Sequence, residues 1–138
     1  MLQRDYLMQM IVQFIQAIFQ SRELALKKRD PEAAADLIEA AIEQAIDMDG
    51  AALLSLAPES MASVLQISGV EPKLVGYIGH SLLQEAEYLR MSGNEELAKL
   101  REEQGIALFN AYGLCEDDIE FPEQDESGQE VLEPRDQE

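Results

Sequence analysis

Two side chains in this sequence are of types that often take part in catalysis or metal binding. They are the single histidine, His80, and the single cysteine, Cys115. A catalytic thiol needs a base beside it, and these two residues lie far apart in the chain. Tyr77 stands three residues before His80, where the Glu-x-x-His motif of a di-iron bundle has glutamate. A lone cysteine cannot form an internal disulfide. We interpret Cys115 as a small apolar residue of a protein in a reducing compartment. We therefore expect no metal site, no cofactor and no catalytic dyad.

Carboxylates are abundant, but their spacing does not favour acid–base catalysis. Glu85 and Glu87 are interpreted as exposed acids on adjacent turns rather than as an acid/base couple. The segment Asp47-Met48-Asp49-Gly50 superficially resembles a calcium loop, yet Leu56 stands where such a loop needs its closing glutamate. We interpret its acids as a turn and a helix cap. The sequence also lacks a phosphate-binding glycine loop and a nucleophile elbow, so we expect a protein that is not an enzyme.

The charge of the chain is strongly negative and unevenly distributed. The formal net charge is −18, and acids are densest in residues 116–138, where Arg135 is the single base. This charge would repel a nucleic-acid backbone or an anionic bilayer, so neither is an expected partner. Met8 to Phe19 is too short to cross a bilayer, and a cytoplasmic location is expected.

The composition divides the chain into a helical domain, residues 1–115, and an acidic tail, residues 116–138. The tail has too few apolar residues to offset its ordering entropy and is expected to be largely disordered. Ile119 and Phe121 are the residues that could dock it near the last helix. A regulatory function, in which the tail occupies a basic surface of a partner, is an alternative to a purely solubilising one.

Apolar residues at helical spacing predict about six helices, and hence an all-α fold. Their approximate spans are 3–28, 31–47, two short helices within 51–69, 72–91 and 95–111. Pro31, Pro58 and Pro72 suit the first turn of a helix, and Gly113 suits the end of the last one. The predicted buried stripes are Leu7, Ile11, Phe14, Ile18 and Ala25; Ala34, Leu37, Ile38, Ala41, Ile42 and Ala45; Leu74, Ile78, Leu82, Ala86 and Leu89; and Leu97, Leu100, Ala107, Leu108 and Ala111.

Two predicted helical hairpins turn at residues 29–32 and 92–95 and overlay when Ala34 is placed on Ala98. The residues that then match in size are Ile18, Ala34, Ile38 and Ala41 in the first hairpin and Leu82, Ala86, Leu89, Ala98 and Gly105 in the second. This arrangement resembles the tetratricopeptide repeat (TPR) family, which implies stacked helical hairpins. The section between them is interpreted as a third, shortened unit.

Residues 1–115 also resemble a family of small bacterial proteins of unknown function with a TPR-like helical fold. Arg4-Asp5-Tyr6 before a long apolar helix, and Leu54-Ser55-Leu56 after Asp49-Gly50, carry this resemblance. It implies a fold and a bacterial cytoplasmic origin, and no activity.

The overlay with TPR proteins places one set of residues on a face that would line a concave groove. This predicted strip consists of Gln16, Phe19 and Glu23 on the first helix and His80, Leu83, Glu87 and Arg90 on the fifth. It is either a peptide-contact surface or an ordinary exposed helix face. A homodimer through the first helix is also expected, because apolar residues lie off its core stripe: Leu2, Tyr6, Met10, Val12, Ile15 and Phe19.

We thus expect a non-catalytic protein–protein interaction or self-association module, with an unidentified protein or peptide partner. The alternatives are the regulatory tail described above, and a small-ligand carrier or enzyme that uses a cavity between the helices.

Overall fold

A computed structural model describes residues 2–119, and the regular structure in this range is entirely helical. It contains six α-helices: α1 (Leu2–Leu26), α2 (Pro31–Ile46), α3 (Gly50–Leu54), α4 (Pro58–Ile67), α5 (Pro72–Met91) and α6 (Glu95–Tyr112). A single turn of 3-10 helix follows at Glu116–Asp118. The predicted all-α class and the six predicted helices are therefore confirmed. Residues 120–138, most of the predicted acidic tail, lie outside the described range.

The helices begin at residues that cap them or favour their first turn. Pro31, Pro58 and Pro72 are the first residues of α2, α4 and α5, where the missing proline N–H is not needed. The Asp30 carboxylate accepts a hydrogen bond from the amide of Ala33 at 3.1 Å. Asp49 caps α3 in the same way, so the interpretation of its carboxylate as a helix cap is confirmed.

The six helices pack as two hairpins with a short appendage. α1 pairs with α2, α5 pairs with α6, and α5 lies directly against both α1 and α2. The two hairpins therefore meet each other, and α4 packs instead on α6. This differs from the expected shortened unit between the hairpins, because α3 and α4 are too short to form a full layer. The TPR-like character of the stack stays a prediction.

The predicted stripes account for about half of the buried apolar residues, and several of their members are only half-buried. All five stripe residues of α5 are buried, whereas in α6 the residue Ala111 is exposed and Ala98 is buried instead. In α1, Ile15 and Phe19 were expected to lie off the core but are only 1% and 5% exposed. The reason is that α1 contacts both α2 and α5, so its buried surface is wider than one stripe.

Small residues allow α5 and α6 to approach closely. A Cβ atom on Gly105 would lie 2.9 Å from the carbonyl oxygen of Gly79, closer than carbon and oxygen normally come. A Cβ on Gly79 would in turn lie 3.0 Å from the ring of Phe109. The predicted small residue at position 105 is thus required by the packing of this hairpin.

Candidate interaction surfaces

The predicted peptide-contact strip is not a continuous exposed surface. Gln16, Glu23, Glu87 and Arg90 are exposed, His80 and Leu83 are half-buried, and Phe19 belongs to the core. The guanidinium of Arg22 lies over the Phe19 ring, 5.9 Å from its centroid. Phe19 therefore packs inside the domain and is not exposed for contact with a partner.

Arg90 and His80, two residues of the strip, contact carboxylates of the same chain. Arg90 binds Glu95 through Nε at 3.0 Å and Glu102 through an η-nitrogen at 2.6 Å, joining the end of α5 to α6. His80 Nδ1 lies 3.3 Å from a carboxylate oxygen of Glu116. These contacts occupy groups that an acidic peptide would otherwise use.

The segment after α6 returns to α5 beside His80. Ile119 packs over the helix at Gly76, where an added Cβ would lie 2.5 Å from its Cδ1 atom. The expected docking of Ile119 therefore occurs, although on α5 rather than on the last helix; Phe121 lies outside the described residues. Burial lowers the pKa of His80, the charge of Glu116 opposes this shift, and the charge of Arg22 adds to it.

A cluster of polar side chains lies inside the core where α2, α5 and α6 meet. Arg101 on α6 binds Glu85 on α5 through Nε at 3.1 Å, and Glu39 on α2 through an η-nitrogen at 2.9 Å. Its other η-nitrogen donates to the Leu54 carbonyl at 2.9 Å and to the side chain of Gln104 at 3.1 Å. The interpretation of Glu85 as a surface acid is wrong, because its side chain is 0% exposed.

The two carboxyl groups of this cluster are held in different protonation states. The pKa of Glu85 is raised to about 10, mainly by burial and next by the hydrogen bond between Glu85 and Glu39. Burial also acts to raise the pKa of Glu39, but hydrogen bonds with Glu85 and Arg101 and the positive charge of Arg101 lower it overall. Glu85 is therefore a neutral acid near pH 7, and Arg101 balances the single charge of Glu39.

This cluster connects helices, and its central side chains are shielded from solvent. Arg101 and Gln104 are 5% and 0% exposed, and Gln104 donates to the carbonyls of both Leu54 and Leu56 at 2.9 Å. Within residues 2–119, no group of three or more His, Cys, Asp or Glu side chains is placed to hold a metal ion. We interpret the cluster as a structural connection.

A groove runs along the outer side of the α1–α2 hairpin. Two adjoining cavities form it and share Gln13, Ala17, Ala41 and Gln44. The remaining lining residues are Tyr6, Gln9, Met10, Phe14, Gln16, Gln20, Leu37, Ala40, Glu43 and Ala45. Glu43 is the one charged side chain among these described lining residues. The groove thus combines amides with alanines, whose small side chains leave room for another helix.

The exposed edge of this groove follows a regular spacing on α1. Tyr6, Gln9, Gln13, Gln16, Gln20 and Glu23 are all exposed and alternate in steps of three and four residues; we call this set the amide seam. That spacing is the seam of a left-handed pair of packed helices. From Tyr6 to Ser21 the sequence has no charged residue, although charged residues are 28% of the chain. Hydrophobic periodicity did not single out this seam, because its members are polar.

Comparison with protein-family models, curated proteins and solved structures found no significant match to this chain. Its surfaces must therefore be interpreted from their own chemistry. None of the helices in residues 2–119 combines the length and the apolar character needed to cross a bilayer.

Proposed function

We propose that this chain is a non-catalytic protein–protein interaction module whose contact surface is the α1–α2 groove with its amide seam. The observation that carries this proposal is that no exposed residue of α1 between Tyr6 and Ser21 is charged, in a chain with a net charge of −18. An exposed helix face is normally rich in charge, and a charge-depleted centre is typical of a protein interface.

The lining of the groove fits a helix of another protein chain. Ala17, Ala41 and Ala45 are half-buried, so a neighbouring backbone can come close without displacing large side chains. The glutamine amides offer both donors and acceptors to polar groups of the incoming helix. The partner is thus a helix with uncharged polar and small residues on one face.

The predicted strip on α1 and α5 supports an interaction function less well. Arg90 and His80 contact carboxylates of this chain, and Phe19 is in the core. The acidic-tail alternative concerns residues that lie almost entirely outside the described range, and it gains no support from the packing of residues 2–119.

Position-specific photocrosslinking in the native cell tests the proposal. A photoreactive amino acid replaces Gln13 in the seam or, as the matched control, the exposed Ser63 on α4. We expect a protein adduct from position 13 that position 63 does not give. Adding Ala40→Arg, which places a large charged side chain at the groove, should abolish that adduct. No adduct at position 13, or one that survives Ala40→Arg, would overturn the proposal.

A further inference from the structure

We infer that the helix received by this groove is α1 of a second copy of the same chain, running antiparallel about a twofold axis between residues 14 and 15. This inference rests on the proposed function and names the partner of the same surface. Three features of the seam support a second copy: its symmetric spacing, the chemistry of the residues that it would pair, and the absence of charge at its centre.

The spacing of the seam reads the same in both directions. Its steps are three, four, three, four and three residues from position 6 to position 23. When two such helices run antiparallel around the stated axis, Gln13 of each copy faces Gln16 of the other. Gln9 then faces Gln20, and Tyr6 faces Glu23. Every exposed member of the seam thereby meets another member, as a self-complementary twofold interface requires.

Each of these pairings is a compatible hydrogen-bond pair. A glutamine amide donates and accepts, so two facing glutamines satisfy each other's groups. The Tyr6 hydroxyl can donate to the Glu23 carboxylate, which accepts only. The pairing places four glutamine pairs along the interface centre and a tyrosine–glutamate pair at each end. A partner with apolar seam residues would leave these amides without partners.

Electrostatics favour this surface for contact between identical chains. Two copies with a net charge of −18 each repel one another over most orientations. The centre of the amide seam brings no carboxylate of one copy against a carboxylate of the other. At its ends, each Glu23 meets a neutral tyrosine. This face therefore allows two strongly acidic chains to approach closely.

Sedimentation of the full chain over a wide concentration range, with charge variants of the two central positions, tests the inference. We expect the wild type to form a dimer. Gln13→Glu with Gln16→Glu places like charges opposite each other and should weaken association by at least about a hundredfold, since such contacts cost several kcal/mol. Gln13→Lys with Gln16→Glu should remain dimeric, because antiparallel pairing sets each lysine against a glutamate. Parallel pairing would set like charges together and abolish that dimer.

The matched control adds the same two negative charges away from the seam, through Ser63→Glu on α4 and Asn110→Glu on α6. This variant should associate as the wild type does, and circular dichroism of all variants checks that helicity is kept. A wild type that stays monomeric throughout, or a dimer unaffected by Gln13→Glu with Gln16→Glu, overturns the second copy as partner. Photocrosslinking at position 13 to a different protein would then still support the proposed function, so the two failures are distinguishable.

Discussion

Arg101 and Glu85 form a hydrogen bond inside the core, in which Nε of the arginine donates to Oε2 of the glutamate at 3.1 Å. The same guanidinium also reaches Glu39 at 2.9 Å, so one α6 side chain holds α5 and α2 together. Burial raises the pKa of Glu85 so that it keeps its proton, and the guanidinium balances the single charge of Glu39. This relationship leads to two predictions about stability.

The protonated state of Glu85 predicts a specific pH dependence. Its pKa rises from 4.5 to about 10 on folding, so between these values the unfolded chain releases a proton that the folded chain retains. The free energy of unfolding contributed by Glu85 is therefore fully present below pH 4.5 and declines as the pH rises toward 10. Glu85→Gln cannot ionise and should show a weaker decline in urea unfolding between mildly acidic and mildly alkaline pH. The exposed Glu87→Gln should keep the wild-type slope; an equal slope in both variants would contradict the assignment.

Removing the buried cation should destabilise the fold strongly. Arg101→Met leaves the Glu39 charge without its partner and removes one of the two donors to the Leu54 carbonyl, and we expect a loss of about 3–5 kcal/mol in the free energy of unfolding. Arg90→Met is the matched control, because Arg90 also binds two carboxylates but lies at the surface. It should leave chemical unfolding nearly unchanged. Similar losses in the two variants would show that burial of the Arg101 cluster is unimportant.

The α5–α6 contact predicts unequal costs for two glycine-to-alanine changes. Gly105→Ala directs its methyl group at the Gly79 carbonyl oxygen, which belongs to the backbone and cannot turn away, so we expect a loss of about 1–3 kcal/mol in thermal or urea unfolding. Gly76→Ala crowds the flexible end of the Ile119 side chain, with Leu114 at ordinary contact distance, and should cost less than Gly105→Ala. A larger loss for Gly76→Ala would contradict this packing.

His80 provides a direct test of the contact with Glu116, because the chain has one histidine and its NMR titration is unambiguous. Burial places its pKa below 6.5, so the unfolded chain takes up the proton first on acidification. The stability contributed by neutral His80 is fully present above pH 6.5. It is lost as the pH falls below 6.5 and through the lower pKa of the folded state. Glu116→Gln removes a favourable charge and should lower the pKa of His80 further. The neighbouring Asp117→Asn should have a smaller effect, and a rise with Glu116→Gln would be inconsistent with the contact.

Much of the fold could be predicted from local signals. Pro31, Pro58 and Pro72 begin helices because proline fits the first turn, and the α5 stripe through Leu82 and Leu89 is buried because helical spacing places it on one face. These features depend on residues within one or two turns of one another. Local periodicity and helix-terminal chemistry therefore carried the prediction.

The buried cluster and the groove depend on distant residues and could not be predicted in the same way. Glu85 lies on the buried stripe by spacing, three residues after Leu82, but an acidic residue is normally predicted to be exposed. Its burial depends on Arg101 of another helix, which the local sequence does not reveal. Ile15 is buried because α1 has two neighbours, which a single helix cannot reveal. The spacing of the glutamines is present in the sequence, but their exposure beside alanines of α2 depends on helix packing.

Arg101 and Gln104 of α6 donate hydrogen bonds to the carbonyls of Leu54 and Leu56. These bonds have a consequence for the order of folding during translation. Residues 50–56 are synthesised before α6. The turn after α3 therefore lacks its hydrogen-bond donors until Arg101 and Gln104 have been synthesised. The α1–α2 hairpin by then already has both of its helices. The nascent chain can thus build its uncharged N-terminal surface first and close the rest of the domain last.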